Sequence, residues 1–486
     1  MRKHILLWTG MMLLVAFPLF LHLGKQPIRI WDEARLAMNA YEMSSNGNPL
    51  VTHFEGSPDM WNTKPPLMIW MQAASIKVFG LNEFAVRFPA ALAALATCIF
   101  LLWFSKRFFD DYMPGIIACL ALVSTNGYVH IHAARTGDYD ALLGLFTTVF
   151  CCSFFLYAEK RSLKYLHLFF VALTLSVLTK GVQGLLFTPA LAGYIIYRKQ
   201  LLSLLKNKWF YIDLGIFLLV AGGYYLLREM YNPGYLLAVW NNELGGRYLD
   251  TLEENKQPFN YYMVQLKDWL YKTWWWLSIA GIIAGLFSGD ARIRRFTIFA
   301  TALSLTYLLF ISISQTKLEW YALPLYPFFC YLLAMLFYRV IIFLRGTNLH
   351  PIARMILPPL MLVLVFMVPY ATIMRKVYYV REYSWDQELY PISYMLQSAY
   401  RGDASLSGSV ICYKGYNTQL LFYVKALDRQ GQAVSFGDAS KLKQGDLAIA
   451  AEPEIKQYIE SHYNYEVARE YYNTRIYKIL AVKAVF

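Results

Sequence analysis

The sequence predicts a polytopic α-helical membrane protein of about eleven spans, followed by a small C-terminal α/β domain. Of its 486 residues, 57% are hydrophobic and only 16% are charged, whereas soluble domains average about 45–50% apolar and about 25% charged residues. Many segments also offer the ~20 nearly uncharged residues that cross a bilayer. After Arg375 the chain becomes polar and rich in tyrosine. We therefore place a membrane domain at 1–375 and a second domain at 376–486.

The membrane domain begins with Arg2 and Lys3 and an apolar run to Leu23. Bulky residues end this run and no small-residue cleavage site follows, so we expect an uncleaved span rather than a signal peptide. Comparable apolar segments recur along the chain up to residue 374. The predicted spans are 5–23, 84–104, 115–132, 139–157, 164–180, 182–197, 209–228, 270–287, 296–314, 320–338 and 355–374.

Basic residues in the connectors predict the orientation. If the spans alternate, every strongly basic connector falls on one face, which the positive-inside rule assigns to the cytoplasm. The other face receives 24–83, 133–138, 229–269, 315–319 and everything after 374. The net charge of +13 is spread over these short connectors, so it indicates membrane topology rather than a nucleic-acid partner. The clusters of residues that could bind a substrate or catalyse a reaction therefore lie on the outer side.

The first outer loop, 24–83, is predicted to hold two helices that do not span. Polar residues recur at helical spacing in its first part, namely at Asp32, Arg35, Asn39 and Glu42. Such a helix is expected to lie at the membrane interface with its polar face toward a cavity. Residues 67–79 form a second apolar helix that is too short to span comfortably, and Asn82 is expected to cap the span after it.

Two adjacent carboxylates, Asp32 and Glu33, open the first of these helices. A carboxylate near an aromatic wall such as Trp31 can serve as a general base, which makes both residues catalytic candidates. The structural alternative is that Asp32 only caps a helix that begins at Glu33. Lys64 precedes two prolines, so its backbone is extended and held. Its ammonium group either binds a phosphate or anchors the loop at the interface.

Further candidates lie on the same outer side. Asp140 opens an apolar run, where an ionisable group is a functional candidate by default. The turn from His130 to Asp140 also holds two histidines and a second aspartate. No spacing in this turn is diagnostic of a metal site, so we predict no metal and no cofactor. The remaining candidates are the cations Arg35, Arg135, Lys180, Arg247 and Lys317, together with Asp138, Glu243, Glu319 and Tyr321.

Five motifs together resemble a known family. They are WDEAR from Trp31, TKPPL from Thr63, FGLNEFAVR from Phe79, LTKG from Leu178 and TKLEWYALP from Thr316 to Pro324. Their order is similar to that in the GT-C superfamily of membrane glycosyltransferases. Within it, the chain resembles the branch of protein mannosyltransferases and the 4-amino-4-deoxy-L-arabinose transferase of lipid A. The resemblance covers roughly residues 1–340.

This resemblance implies an enzyme that moves a sugar, with inversion, from a polyprenyl-phosphate donor to an acceptor at the outer face of a bacterial-type inner membrane. Asp32 and Asp140 match the acidic positions of two loops. The donor-phosphate side is matched by Arg35, Lys64, Lys180, Arg247 and Lys317. Thr63 stands where the branch often has glutamate, and Leu244 where some members show histidine, so a metal inferred from such members is not expected here.

Two other functions stay open on the sequence. One is a transporter or flippase for polyprenyl-phosphate-linked substrates, and the other is a polysaccharide ligase or polymerase with a similar outer cavity. A transporter would place charges at mid-membrane depth in broken helices, whereas here they cluster at one interface. The expected partners are the lipid-linked donor, an acceptor lipid, glycan or protein, and membrane lipids.

Overall fold

The structure is a computed structural model that describes residues 2–130, 132–249, 256–380, 382 and 386–483, except for the side chains of 2–7, 244 and 247–249. Seven helical segments are long and apolar enough to cross a membrane, and each overlaps a predicted span. They are Glu83–Phe109, Asp140–Lys160, Leu163–Leu185, Lys208–Tyr231, Ala291–Ile313, Glu319–Gly346 and Pro351–Tyr378. The predicted polytopic helical fold is therefore confirmed.

The other four predicted spans correspond to shorter apolar helices, Trp8–Phe20 within Arg2–Phe20, Met113–Val123, Thr188–Tyr197 and Trp275–Leu286. The prediction of a continuous span at 115–132 is wrong, because the helix ends at Ser124 and turns follow. Within these turns the backbone of Gly127 lies against Tyr326, and a Cβ at this position would be 2.2 Å from the tyrosine oxygen. Only glycine permits this close approach.

Several of the long segments are interrupted or flanked by short helical pieces. Gly181, with φ of 58°, ends the α-helix Leu163–Lys180 and begins the 3₁₀ turn Gly181–Leu185. The α-helix Tyr326–Gly346 follows the 3₁₀ turn Glu319–Leu325. The remaining α-helices before residue 351 are Leu201–Leu205, Lys208–Phe217, Gly223–Tyr231, Tyr235–Val239 and Tyr261–Gln265. The π-helical segments are Leu218–Gly222, Trp240–Leu249 and Leu266–Leu270.

The first loop has the two predicted helices, Asp32–Asn46 and Leu67–Phe79. A hairpin of β1 (His53–Phe54) and β2 (Ser57–Pro58) lies between them. As predicted, Asn82 caps the next helix, since its side chain accepts a hydrogen bond from the Ala85 amide at 2.9 Å. The apolar side chains of helix Asp32–Asn46 are largely buried, and its polar side chains contact the rest of the loop.

The C-terminal domain is a five-stranded mixed sheet with helices. Its strands are β3 (Ser409–Ile411), β4 (Ser435–Phe436), β5 (Leu447–Ala450), β6 (Tyr463–Tyr471) and β7 (Thr474–Val482). The order is β4-β3-β5-β7-β6, with β3 parallel to β4 and β5, and with β7 antiparallel to β5 and β6. Its helices are Asp386–Leu389, Pro391–Tyr400, Thr418–Asp428, the 3₁₀ turn Ala439–Lys441 and Pro453–His462. The predicted small α/β domain is present.

This domain packs directly on the first loop. Helix Thr418–Asp428 contacts helix Asp32–Asn46, and the two share one hydrophobic core. Within it the Tyr423 hydroxyl accepts a hydrogen bond from the Ile28 amide at 3.0 Å and donates one to Glu83 at 2.6 Å. The domain therefore helps to fix the position of the first loop.

Candidate active site

A cavity lies where the first loop meets the turn before helix Asp140–Lys160 and the segment Glu319–Leu325. We call it the loop cavity. It is lined by Asp32, Leu36, Trp61, Asn62, Lys64, Asp138, Tyr139, Asp140, Lys180, Trp320 and Tyr321. The structure thus brings together six of the residues predicted from the sequence, which come from four separate segments: Asp32, Lys64, Asp138, Asp140, Lys180 and Tyr321.

Asp32 presents a carboxylate to the loop cavity. Its side chain is 32% exposed, and its Oδ2 lies 3.9 Å from Nδ1 of His132. Asp32 is the first residue of helix Asp32–Asn46, and no side-chain hydrogen bond caps this helix. Among the residues that the structure describes, no hydrogen bond engages the Asp32 carboxylate, so the alternative role as a helix cap has no support.

Glu33, the neighbouring carboxylate, points the other way and is fully buried. Its two oxygens accept hydrogen bonds from Nε and Nη2 of Arg87 at 2.7 and 2.9 Å. The backbone amides of Arg29 and Gly137 each donate a further bond at 2.8 Å. Burial alone would raise the pKa of Glu33, but Arg87 and these amides lower it below its ordinary value. Glu33 therefore joins three chain segments and does not line the loop cavity.

Arg35 also has a structural partner. Its Nε and Nη2 donate to the two oxygens of buried Asp59, each at 2.8 Å, and its guanidinium carbon lies 3.5 Å from the centroid of the Phe54 ring. Burial would raise the pKa of Asp59, yet Arg35 and Asn39 hold it below its ordinary value. The Asp59 carboxylate in turn accepts a hydrogen bond from the backbone amide of Trp61. Arg35 thus fixes the segment that leads to Lys64, and it does not line the loop cavity.

Two lysines supply the positive charge of the loop cavity. Lys180 donates to Asp140 at 2.6 Å, and both side chains are buried. Lys64 forms an ion pair with Glu243 at 3.2 Å, with 13% of its side chain exposed. The Tyr139 ring lies 5.7 Å from the Lys64 ammonium nitrogen. These two amines are the lysine cations among the described lining residues, and each is paired with one carboxylate.

His132, one of the two histidines considered from the sequence as metal ligands in the turn before Asp140, also lies at this site. Its ring stacks on Trp320 with centroids 3.7 Å apart, and its Nδ1 lies 3.3 Å from Oδ2 of buried Asp138. Burial lowers the pKa of His132, but the charges of Asp138 and Asp32 raise it by more, to about 9. At neutral pH the imidazolium therefore faces both carboxylates.

A divalent cation at this site would have to compete with the proton on the His132 ring. One ligand atom each from Asp32, His132 and Asp138 lies within 4.8 Å of the others, and imidazole with carboxylates is a donor set that metals accept. Metal binding requires the neutral imidazole, whereas the two carboxylates favour the protonated ring. The three ligand atoms therefore fit a metal only when His132 has lost its proton.

The other predicted residues lie outside the loop cavity. Arg135 lines a different cavity. Lys317 donates to the carbonyls of Gln257 and Ser314 at 3.0 and 2.6 Å, and burial lowers its pKa. Glu243 contacts the site through Lys64 and Thr63, and Glu319 adjoins Trp320 without lining the cavity. The side chain of Arg247 lies outside the described residues.

Two important partners were missed for different reasons. Arg87 is an arginine inside an apolar segment, which by itself signals a buried acidic partner, so the sequence contained a usable indication. Asp59 pairs with Arg35 across a hairpin and 24 residues of chain. No spacing rule connects the two positions, and only the folded loop reveals the pair.

Comparison with known proteins agrees with this architecture. Residues 63–223 match the family described as dolichyl-phosphate-mannose-protein mannosyltransferase. An undecaprenyl phosphate-alpha-4-amino-4-deoxy-L-arabinose arabinosyl transferase of Aeromonas hydrophila is 29% identical over 327 residues, or 64% of this chain and 57% of that relative. The Aeromonas salmonicida relative of the same name is 29% identical over 66% of this chain and 59% of its own length. The chain thus spans less than two thirds of these relatives.

Solved structures show the same fold. ArnT from Cupriavidus metallidurans, in a crystal structure bound to undecaprenyl phosphate, matches with a TM-score of 0.72 at 15% identity over 98% of both chains. The oligosaccharyltransferase AglB from Archaeoglobus fulgidus matches with a TM-score of 0.55 at 10% identity, over 86% of this chain and 63% of AglB. The chain therefore shares its fold with these solved structures, and in sequence it resembles the protein mannosyltransferases over residues 63–223 and the aminoarabinose transferases over about two thirds of its length.

Proposed function

We propose that the protein transfers a sugar from a polyprenyl-phosphate-linked donor to an acceptor hydroxyl on the outer, periplasmic face of a bacterial inner membrane, and that the reaction takes place in the loop cavity. The observation that carries this proposal is that one cavity holds a carboxylate without a described hydrogen bond, Asp32, and two amines, Lys64 and Lys180. A general base and cations for a phosphate leaving group are the two components that this chemistry needs.

The donor phosphate is assigned to the side of the loop cavity that holds the two lysines. As the bond between C1 of the sugar and the phosphate oxygen breaks, its electron pair stays on the phosphate and negative charge grows there. Preorganised cations in a site of low dielectric stabilise that charge. Lys180 is held in place by Asp140, and Lys64 by its prolines and Glu243. Asp140 is therefore proposed to position a lysine rather than to contact the sugar.

Asp32 is assigned to the acceptor. The acceptor oxygen forms its bond to C1 from the face opposite to the departing phosphate, so the configuration inverts, and its proton passes to the Asp32 carboxylate. The ring of His132 lies beside Asp32, with Nδ1 3.9 Å from the carboxylate Oδ2. Glu33 and Arg35 act through other residues, because their own charged atoms are bound to Arg87 and Asp59.

The polyprenyl carrier is proposed to be undecaprenyl phosphate, the lipid named for the Aeromonas relatives and present in the Cupriavidus structure. The direct test is to incubate purified protein with a sugar-loaded donor and an outer-face acceptor fraction containing lipid, glycan or protein. Free polyprenyl phosphate should appear only when the acceptor is present, and the labelled sugar should move to it. A flippase would move the donor across a vesicle membrane and release no free carrier, which would contradict the proposal.

The orientation has its own test, by labelling of single cysteines with an impermeant thiol reagent in intact cells. We expect Glu55→Cys and Ser407→Cys to react from outside, and Lys160→Cys and Arg294→Cys to react only after permeabilisation, because basic connectors stay in the cytoplasm. All four positions are exposed, and the six native cysteines are buried. Labelling of position 160 in intact cells would reverse the orientation.

Lys64→Ala is expected to weaken donor binding and to lower the turnover rate together. The ammonium group would contact the phosphate in both the ground state and the transition state, so its loss affects both. Donor affinity and single-turnover rate measured in the same detergent test this. Lys77→Ala, at an exposed lysine on helix Leu67–Phe79, is the matched control. Unchanged affinity in Lys64→Ala would leave the lysine as an interfacial anchor only.

Activity is expected to survive chelation. In its protonated form, which the raised pKa of about 9 favours, His132 supplies the positive charge beside Asp32 and Asp138 that a metal would otherwise supply. Transfer rates before and after EDTA treatment and dialysis measure this. If the rate falls with EDTA and returns with one divalent ion, these three residues form a metal site after all.

A further inference from the structure

A second cavity, which we call the basic cavity, lies where the first and last membrane helices end. Its volume is about 280 Å³. The basic side chains that line it are His22, Arg29, Arg87, His130, Arg135 and Lys376. Among its described lining residues, Glu382 is the acidic member, and Leu23, Val129, Val377 and Val380 give it an apolar side. The cavity is therefore positively charged and amphipathic.

Two of its four arginine and lysine side chains are neutralised by carboxylates. Arg87 is bound to Glu33, as described above. Arg29 donates to Glu382 at 2.9 Å and lies 3.7 Å from Asp386. Because each of these two guanidinium groups is paired with a carboxylate, they add little net positive charge to the cavity.

The other two cations, Arg135 and Lys376, have no carboxylate partner in the described part of the chain. Arg135 donates to the carbonyls of Pro18, Leu19 and Leu21, at 2.8, 3.2 and 2.8 Å. These are neutral acceptors, and burial together with the nearby charge of Arg87 lowers the pKa of Arg135 to about 10. Its guanidinium stays charged at neutral pH without a counter-ion.

Lys376 reaches the cavity from the end of helix Pro351–Tyr378. Its ammonium nitrogen donates to Oδ1 of Asn126 at 2.8 Å and lies 5.3 Å from the centroid of the Trp269 ring. An amide oxygen and an aromatic face attract a cation without cancelling its charge. Arg135 and Lys376 are therefore the two cations available to an anion in the cavity, and the second carboxylate near Arg29, that of Asp386, leaves a net charge of about +1 for the group of charged side chains.

Thr136 adds an independent indication of a ligand. Its side chain lines the basic cavity and is only 3% exposed. Its Oγ1 has no hydrogen-bond partner in the part of the chain that the structure describes. Buried hydroxyls in native proteins are normally hydrogen-bonded. A ligand with an oxygen acceptor would satisfy this hydroxyl and the two cations at once.

We propose that the basic cavity binds the phosphate headgroup of an anionic membrane lipid. An arginine fork, a lysine point charge and a hydroxyl are suited to phosphate oxygens. The cavity lies at the ends of membrane helices, the level at which lipid headgroups are found, and basic pockets between helices at this level bind such groups. Its apolar side would contact the first carbons beyond the phosphate.

This lipid site is separate from the loop cavity. Thr136 lines the basic cavity, whereas Asp138, two residues later, lines the loop cavity. The ion pair of Glu33 and Arg87 lies between them, with Arg87 facing the basic cavity and Asp32, next to Glu33, facing the loop cavity. A bound lipid would therefore support the wall of the loop cavity without entering it.

Native mass spectrometry of the full chain in neutral detergent tests the proposal without any donor or turnover, so its failure is distinct from failure of the proposed function. The probes are phosphatidic acid, phosphatidylglycerol and diacylglycerol with the same acyl chains. We expect the two phosphate lipids to bind and diacylglycerol not to bind. Thr136→Val and Lys376→Gln should each weaken phosphate-lipid affinity by about ten- to a hundredfold, as expected when a charged group loses a hydrogen bond.

Thr136→Val is the decisive variant. It keeps the shape of the side chain and removes a buried hydroxyl without a partner, so no loss of folding is expected. Lys77→Gln, at an exposed lysine, is the control and should bind like wild type. Equal binding of diacylglycerol, or wild-type affinity in both cavity variants, would overturn the proposal. Displacement by inorganic phosphate at the lipid's own concentration would overturn the lipid assignment. Loss of binding in Lys64→Ala alone would place the lipid in the loop cavity instead.

Discussion

Replacing Asp32 by asparagine is expected to lower the single-turnover rate of sugar transfer by about 10²-fold or more, while donor affinity and expression stay near wild type. Asparagine keeps the size of the side chain and cannot accept a proton. The carboxylate makes no described hydrogen bond that the substitution would break, and its ionic neighbour His132 lies 3.9 Å away. The chemical step should therefore fail without damage to the loop.

The measurement compares rapid single turnover with equilibrium donor binding in one detergent. Asp428→Asn, at an exposed position on the C-terminal domain, is the matched control and should transfer at the wild-type rate. If Asp32→Asn also keeps the wild-type rate, the base lies elsewhere and our assignment of the loop cavity is wrong. If it loses donor affinity in proportion to rate, Asp32 serves the donor rather than the acceptor.

Breaking the ion pair of Glu33 and Arg87 is expected to cause the largest loss of stability. Either Glu33→Gln or Arg87→Met leaves one buried charge without its partner, which typically costs about 3–5 kcal/mol. Arg87 also donates hydrogen bonds to the carbonyls of Leu23, Gln26 and Pro27. Arg87→Met therefore also removes the hydrogen bonds that hold the turn after helix Arg2–Phe20. The melting temperature in detergent should fall strongly in both variants.

The double variant tests whether the contributions of Glu33 and Arg87 to stability depend on each other. Glu33→Gln with Arg87→Met removes both charges, so its loss of stability should be clearly smaller than the sum of the two single losses. Asp110→Asn breaks an exposed pair with Lys106 on the same helix and should leave the melting temperature unchanged. Additive losses in the double variant would show that the two side chains do not depend on each other.

This pair also gives stability a pH dependence of known sign. The pKa of Glu33 in the folded protein lies below its ordinary value, so the folded state holds the ionised form more strongly than the unfolded state does. The contribution is complete above the ordinary glutamate value of about 4.3 and is lost as the pH falls below it. Glu33→Gln should remove this part of the acid sensitivity.

Local patterns in the sequence were sufficient to predict most of the helices. The spacing of Asp32, Arg35, Asn39 and Glu42 predicted helix Asp32–Asn46, and an apolar run of limited length predicted Leu67–Phe79. These predictions succeed because helical periodicity and span length depend on near neighbours along the chain. The prediction of a span at 115–132 failed in its second half, where helix Met113–Val123 gives way to turns. Gly127 in these turns packs against Tyr326, 199 residues further along the chain, and local sequence gives no signal of such a contact.

The roles of individual charges depended on the tertiary structure. The sequence by itself determined a polytopic membrane protein, and it predicted Asp32, Lys64 and Asp140 as site residues, since ionisable groups beside apolar segments are rare. The structure places all three at the loop cavity. Only the tertiary structure shows that Glu33 forms an ion pair with Arg87, Arg35 with Asp59 and Lys180 with Asp140. A charge in a site of low dielectric acts through the partner that lies within a few ångströms, and chain folding rather than sequence spacing selects that partner.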